Sequence, residues 1–143
     1  MFYGAASFNQ PLGSWDVSRQ THLNNVFKDA IVFNQPLNSW DVSSVTYLSF
    51  VFYNAQSFNQ PLGSWNVSRV HHISGVFADS GFNQSLTTWD TSKVTLLCWA
   101  FKGTAYNHPF RRLVDYIEGH IPVWHVPICL CLQPRPEFLG RLE

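Results

Sequence analysis

The segment FNQPLGSWDVS, residues 8–18, recurs with small changes along most of the chain. It returns as FNQPLNSWDVS at 33–43, FNQPLGSWNVS at 58–68 and FNQSLTTWDTS at 82–92, and its first five positions decay to YNHPF at 106–110. Successive copies therefore begin 25, 25, 24 and 24 residues apart. A fixed period of this length predicts a stack of similar structural units, each burying its apolar side against the next.

The repeat domain is predicted to occupy residues 1–110 and to precede a divergent C-terminal tail, residues 111–143. Its parts are a partial unit at 1–7, full units at 8–32, 33–57, 58–81 and 82–105, and the degenerate start of a fifth at 106–110. Met1-Phe2 aligns with Val26-Phe27 of the next unit, so the chain is interpreted as a fragment, or a gene model begun at an internal methionine. The tail is a candidate cap for the last unit.

The charge balance argues against a polyanionic partner. Nine Lys and Arg residues balance nine Asp and Glu residues, and the basic ones are scattered singly. We therefore expect no nucleic-acid binding. The longest apolar stretch, from Ile121 to Leu132, contains two prolines and a histidine and is too short to cross a bilayer, so we also expect no membrane span.

The periodicity changes within each unit at the serine that follows the Trp-Asp-Val segment. Trp15 and Val17 share one face while Ser14 and Asp16 share the other, which is the alternation of a short strand. Ser18 then precedes apolar residues spaced mostly three apart, a pattern that fits a short helix with serine as its N-cap. The weak helix formers in this arm also leave open a 3₁₀ turn or a second strand.

The FNQP segment reads as a return loop, because proline continues neither a strand nor a helix. One strand, one short arm and one loop per unit predict an α/β repeat solenoid that is leucine-rich-repeat-like. Its short parallel strands would form one sheet, with short helical or 3₁₀ arms behind it. The alternative is an all-β solenoid.

Stacking would bring equivalent residues of adjacent units together as ladders. The aromatic rows bury the most area per residue and should supply most of the stability. We interpret the loop asparagines as internal hydrogen-bonding partners and not as a ligand row, because tight return loops leave backbone groups to be satisfied. The predicted ladders are Trp15, Trp40, Trp65 and Trp89, then Phe27, Phe52, Phe77 and Phe101, then Asn9, Asn34, Asn59 and Asn83.

Two surfaces are candidates for contact with a partner. Residues three apart share a helix face, so the outward side of the predicted arm would expose an apolar patch, unless it packs under the tail or against a missing part of the protein. The other candidate is the outward face of the predicted strands, where a row of carboxylates is tolerable without a metal ion. The arm patch comprises Tyr47, Phe50, His72, Leu96 and Trp99, and the strand face comprises Asp16, Asp41, Asn66 and Asp90.

No catalytic or cofactor motif stands out in the sequence, and we expect neither an enzyme nor a cofactor protein. An active site is single, whereas the Ser, Asp and His positions recur from unit to unit. The tail carries four side chains able to hold Zn²⁺, His120, His125, Cys129 and Cys131. Their spacing is not that of a standard zinc finger, so a capping element or non-native read-through sequence is preferred to a metal site.

The motif FNQPL-x-x-W-D-V-S-x-V-T resembles the repeat of BspA-like leucine-rich-repeat surface proteins, including the family described as a mycoplasma lipoprotein domain of unknown function. The resemblance covers residues 1–110. It departs from the family where methionine often precedes the repeat phenylalanine, because this chain has Val26, Val51, Val76 and Ala100 there. The resemblance implies a cell-surface or extracellular location and no shared catalytic residues.

The first functional hypothesis is therefore a noncatalytic interaction or adhesion module, part of a longer repeat protein, that binds a protein or glycan at a cell surface. The second hypothesis is a structural spacer that displays other domains and has no ligand of its own. The apolar groups concentrated in the second and fourth units favour the binding module. The ligand and the oligomeric state do not follow from the sequence.

Overall fold

The structure, a computed structural model, describes residues 1–110. Within this range the backbone forms no α-helix, no 3₁₀ helix and no strand. Extended pairing is limited to three isolated parallel bridges, His22 with Tyr47, Tyr47 with His72, and His72 with Leu96. The chain instead runs through successive turns, and each repeat unit forms one layer that lies against the layers before and after it.

The predicted α/β repeat solenoid of the leucine-rich-repeat type is therefore wrong. The arms contain turns where a helix was expected, and the expected sheet is replaced by isolated bridges. The all-β alternative lacks its strands for the same reason. The bridges also lie in the predicted arm and not in the predicted strand at 13–17. The tail predictions for residues 111–143 fall outside the described residues.

The arm cannot be helical because its backbone repeatedly enters the left-handed region. Asn25 has a φ of 59° and Asp29 a φ of 60°, whereas an α-helix needs φ near about −63° at every residue. The amide of Val26 donates to the Leu23 carbonyl at 3.3 Å, and the amide of Ala30 donates to the Phe27 carbonyl at 3.1 Å. A positive φ at the third residue of such a turn is typical of type II turns, so the arm is a run of turns.

The left-handed position of Asp29 has a signal in the sequence that the apolar periodicity does not reveal. Its residues are all of the three types that tolerate a positive φ best. They are Gly4, Asp29, Asn54, Asp79 and Gly103. A Gly, Asp or Asn at one fixed place in every unit therefore indicates a recurring turn, and that signal outweighs the three-residue apolar spacing.

Alternate backbone amides join each layer to the next. In the second layer the amides of Leu23, Asn25, Phe27 and Asp29 donate to the carbonyls of Tyr47, Ser49, Val51 and Tyr53 at 2.8 to 3.1 Å. The intervening amides of Val26, Lys28 and Ala30 donate back within their own turns. Buried backbone groups need partners, and this alternation supplies them without a helix or a regular sheet.

The predicted strand also proves to be a pair of turns, although its apolar side chains face inward. The Trp40 amide donates to the Leu37 carbonyl at 3.0 Å, and the Val45 amide donates to the Val42 carbonyl at 2.9 Å. Trp40 and Val42 are both buried. The serine predicted to cap a helix instead donates its amide to the preceding aspartate, as Ser43 does to Asp41 Oδ1 at 3.0 Å. This is an Asx turn.

The core consists of stacked aromatic columns. Phe2, Phe27, Phe52, Phe77 and Phe101 form a column with ring centroids 5.6 to 5.8 Å apart. A second column comprises Phe8, Phe33, Phe58, Phe82 and Tyr106, with centroids 6.0 to 6.2 Å apart. Within a layer the two columns also touch, as Phe52 and Phe58 do at 3.9 Å. The columns fill the interior with close ring contacts.

Tryptophans form a third column that is both packed and hydrogen-bonded. Trp65 stacks between Trp40 and Trp89 with centroid distances of 6.4 Å on each side. Its indole Nε1 donates to the Leu37 carbonyl of the previous layer at 2.9 Å. Trp15 differs, because it is 43% exposed and packs on Phe2 at 5.6 Å.

Asparagines of the return loop bond from layer to layer. The Asn59 amide donates to Asn34 Oδ1 at 3.0 Å, and Asn59 Oδ1 in turn accepts the Asn83 amide at 2.8 Å. The glutamine that follows adds a second donor to the same oxygen, as Gln84 Nε2 does at 3.2 Å. These side chains therefore replace the backbone carbonyls that a sheet would have offered.

Replacing Trp65 by Ala is expected to lower the free energy of unfolding by about 3 to 5 kcal/mol. The change removes a buried ring between two others and leaves a cavity that no large flexible segment can fill. Urea unfolding followed by circular dichroism measures this loss. Trp15→Ala is the control, since that ring is half-exposed, and its loss should be less than half as large. Equal losses would contradict a stack stabilised at its centre.

Replacing Asn59 by Ala removes the acceptor for the Asn83 amide and should cost about 0.5 to 1.5 kcal/mol. Asn59→Asp keeps an oxygen at the same place and should retain most of that free energy. The urea midpoints of the two variants and the wild type measure these differences in stability. If Asn59→Asp destabilises the protein as much as Asn59→Ala does, the carboxamide oxygen is not the group that matters.

Candidate interaction surface

One side of the stack carries three neighbouring columns of residues, most of them partly or fully exposed, which we call the aromatic face. Its first column contains the bridge residues, its second contains left-handed residues three positions later, and its third lies three positions further on. The columns comprise His22, Tyr47, His72 and Leu96, then Asn25, Phe50, Gly75 and Trp99, then Tyr3, Lys28, Tyr53, Ala78 and Lys102. The predicted patch of Tyr47, Phe50, His72, Leu96 and Trp99 lies wholly within it.

The bridge column places rings directly against one another. His22 and Tyr47 stack with centroids 4.5 Å apart and planes 8° from parallel. Tyr47 and His72 meet edge to face, also at 4.5 Å. Because the three bridges fix the backbones of these residues, the rings are held in register by the main chain. The structure thus brings Tyr47 and His72 together, with His22 as a third ring.

The second column contains two bulky aromatic residues in the left-handed region. Phe50 has a φ of 58° and Trp99 a φ of 57°. A left-handed conformation costs most residues about 1 to 2 kcal/mol, and only Gly, Asn and Asp adopt it readily. Asn25 and Gly75 occupy the same column in the other two units. The fold therefore needs no aromatic residue at this position.

Gly75 makes room for the Phe50 ring. A Cβ atom added at Gly75 would lie 2.5 Å from two ring carbons of Phe50. The ring therefore lies across the face of the following layer, where any larger residue would displace it. Phe50 is half-buried as a result, whereas Trp99 is 41% exposed.

Sequence reasoning missed the third column, where lysines face aromatic rings. Lys28 Nζ lies 5.4 Å from the ring centroid of Tyr3, 5.7 Å from that of Phe50 and 5.0 Å from that of Tyr53. Lys102 Nζ lies 5.9 Å from that of Trp99. The available signal was the repeat register, which aligns Tyr3, Lys28 and Tyr53.

The aromatic face is not continuous, because the third full unit contributes Gly75 and Ala78 to it. The structure groups Phe50 with Tyr3, Lys28 and Tyr53, and it groups Trp99 with Lys102. Phe50 and Tyr53 meet at 6.0 Å with planes 69° apart. The rings and cations of the aromatic face therefore form two clusters separated along the stack, and only Phe50 and Trp99 of these clusters belong to the predicted patch.

The alternative surface, the row of Asp16, Asp41, Asn66 and Asp90, lies on turns and not on a strand face. In each residue Oδ1 accepts a hydrogen bond from the amide two residues later, at 3.0 Å in the three aspartates and 3.2 Å in Asn66. Hydrogen bonds from Ser18 hold the pKa of Asp16 below its ordinary value. Hydrogen bonds from Ser43 lower the pKa of Asp41, against the opposing effects of desolvation and of the Asp16 charge.

These contacts give the acidic row a structural use as turn acceptors. Among the residues that the structure describes, no group of three or more His, Cys, Asp or Glu side chains is arranged to hold a metal ion. The four tail side chains able to hold Zn²⁺, those of His120, His125, Cys129 and Cys131, fall outside that part of the chain. Likewise, no helix in residues 1–110 is long and apolar enough to cross a membrane.

The lowered pKa values of Asp16 and Asp41 predict a specific loss of stability in acid. The charged carboxylates are favoured in the folded state, so their contribution is full above the ordinary pKa of about 3.9 and is lost as the pH falls through the lower folded value. The double variant Asp16→Asn and Asp41→Asn keeps the turn acceptor, as Asn66 does.

Urea midpoints of the wild type and the double variant, measured between neutral pH and about pH 2, test this linkage. The wild-type midpoint should fall more steeply below about pH 4, whereas the double variant should change less. Parallel curves for the two proteins would show that the Asx-turn carboxylates do not contribute to the acid dependence.

Comparison with known proteins places the chain in a family. A family model described as a Mycoplasma protein of unknown function, DUF285, matches residues 1–85 and 64–114. No curated protein and no solved structure matches the chain. The two family matches overlap and together extend from residue 1 to residue 114 of 143, which is most of the chain. The chain therefore belongs to the family described as Mycoplasma protein of unknown function, DUF285.

Proposed function

We propose that this chain is a noncatalytic protein-interaction or adhesion module of a cell-surface or secreted protein, and that the aromatic face is its contact surface. The observation that carries the proposal is the placement of Phe50 and Trp99 at left-handed positions on the outside of the stack. Backbone strain of this kind concentrates at functional sites, where the surrounding structure supports it.

The other units show that the strain is avoidable. Asn25 and Gly75 occupy the same turn position and suit its positive φ. Trp99 leaves 41% of its surface exposed, so a large apolar area on this strained residue is available to a partner. An aromatic residue retained at such a position is better explained by contact with a partner than by stability.

The proposed partner is a protein or a glycan at a cell surface. Exposed Tyr, Trp and Phe rings supply large contact areas with few rotatable bonds, and they dominate the binding energy of many interfaces. The likeness of the repeat motif to BspA-like surface proteins supports the location. It does not extend to the fold, since the leucine-rich-repeat architecture is absent from residues 1–110.

The noncatalytic part of the proposal rests on the uses of the recurring polar residues. Asparagine side chains such as that of Asn34 accept a backbone amide of the next layer, and aspartate side chains such as that of Asp41 accept the amide two residues later in their own turn. Such roles account for their recurrence without any reaction chemistry. We propose no cofactor and no metal ion for the module.

A structural spacer that displays other domains is the second candidate. The observation that favours it is the gap in the aromatic face at Gly75 and Ala78, which leaves two small clusters instead of one broad patch. A spacer needs only the stacked core, and its outer residues are free to vary.

The double variant Phe50→Asn and Trp99→Asn separates the two candidates. Asparagine suits the left-handed turn, so the variant should fold as judged by circular dichroism while it lacks both rings. We expect the wild type to retain a cell-surface protein or glycan from an extract in a pull-down and the variant to lose about tenfold or more of it.

The matched control is Asp16→Asn and Asp41→Asn, which changes the acidic row and leaves the aromatic face intact. It should capture as much as the wild type. Equal capture by all three proteins would remove the aromatic face from the proposal, and loss only in the acidic-row control would assign the contact to that row. A lack of capture by the wild type would favour the spacer.

A further inference from the structure

The ammonium group of Lys28 lies in a cage of three aromatic rings. Its Nζ atom is 5.0 to 5.7 Å from the ring centroids of Tyr3, Phe50 and Tyr53. A cation within about 6 Å of a ring centroid is attracted by the ring quadrupole, and such contacts occur only about once per 70 to 80 residues. Three of them on one ammonium group make a distinct local feature.

The stack builds this cage from three successive layers. Tyr3, Lys28 and Tyr53 occupy the same position in consecutive units, so the lysine lies between two tyrosines. Their backbones are joined by the Gly4 amide, which donates to the Lys28 carbonyl at 2.8 Å. The Asp29 amide donates to the Tyr53 carbonyl at 2.8 Å. Phe50 closes the side of the cage, with its ring fixed across Gly75.

We propose that Tyr3, Phe50 and Tyr53 form a binding site for a quaternary ammonium group, such as the trimethylammonium group of choline, and that Lys28 is its internal occupant. Aromatic cages recognise quaternary ammonium ligands because the ring faces attract the positive charge and also contact the methyl groups. The inference does not rest on the proposed function, since a small cation needs no macromolecular partner.

The chemistry favours exchange of the lysine for such a ligand. A lysine ammonium is a compact, strongly hydrated charge, and at an exposed site each ring contact is worth only about 0.5 to 1 kcal/mol. Tyr3 is 62% exposed, so the cage opens to solvent on that side. A trimethylammonium group carries its charge on apolar methyl groups and gives up less hydration when it enters.

Within residues 1–110, Lys28 forms no ion pair with the neighbouring carboxylate of Asp29. Asp29 Oδ1 instead accepts a hydrogen bond from Asn54 Nδ2 at 2.9 Å. The lysine side chain can therefore rotate out of the cage without breaking the hydrogen bond between Asn54 and Asp29. Its withdrawal would expose the faces of Tyr3, Phe50 and Tyr53 together.

Titration of the full chain with choline, followed by two-dimensional NMR, tests the site. Lys28→Ala removes the internal occupant and should tighten choline binding about tenfold, as expected if the lysine fills the cage about nine tenths of the time. Adding Tyr53→Leu should weaken binding about fivefold relative to Lys28→Ala alone. The shifts should centre on residues 3, 50 and 53.

Two controls separate this site from general effects. Lys93→Ala removes another exposed lysine and should leave choline binding as in the wild type. The neutral analogue 3,3-dimethylbutan-1-ol has the shape of choline without its charge, so it should bind at least about tenfold more weakly to Lys28→Ala. Circular dichroism verifies that each variant is folded.

Sedimentation with phosphatidylcholine vesicles distinguishes a lipid headgroup from free choline as the source. Sedimentation that is lost in Lys28→Ala with Tyr53→Leu would assign the site to the headgroup, and choline binding without sedimentation would assign it to a soluble ligand. Equal binding of choline and its neutral analogue, or equal affinity of the wild type and Lys28→Ala, would overturn the proposal.

Discussion

The rest of the structure depends on one interaction, in which every second backbone amide of the arm donates a hydrogen bond to a carbonyl of the next layer. A chain without helices or strands in its described residues must still satisfy its buried amides, and here it does so every second residue across the layer boundary. This requirement fixes the register of neighbouring layers. Register in turn aligns the aromatic columns, so the rings follow one another at 5.6 to 6.2 Å because the backbone places them there.

The same constraint explains why the arm is built from turns. An amide that donates forward must alternate with one that donates backward within its own turn, and two left-handed residues per full layer produce this alternation. One of the two positions is always Gly, Asp or Asn, whereas the other admits Phe50 and Trp99. The second position is thus where the fold tolerates a costly residue, and it faces outward.

The sequence could predict which side chains face the core, because the spacing of Trp65 or Phe52 from its counterparts depends only on the repeat period. It could not predict the backbone from apolar spacing alone. Residues three apart on a helix and residues three apart in linked turns give the same pattern, and only Asp29 and its equivalents distinguish them. The predicted patch also lacked Lys28 and Tyr53, since a cation placed against rings of adjacent layers depends on how those layers stack.

The direction of the interlayer hydrogen bonds differs between parts of one layer. In the arm, Phe27 donates forward to Val51, but Thr46 donates backward to Thr21 and Ser57 donates backward to Ile31. Each layer therefore donates in both directions, forward from residues such as Phe27 and backward from residues such as Thr46. A layer inverted along the stack axis would bring donors opposite donors at these positions. The hydrogen-bonding pattern therefore accepts a neighbouring layer in only one rotational orientation and one direction along the stack axis.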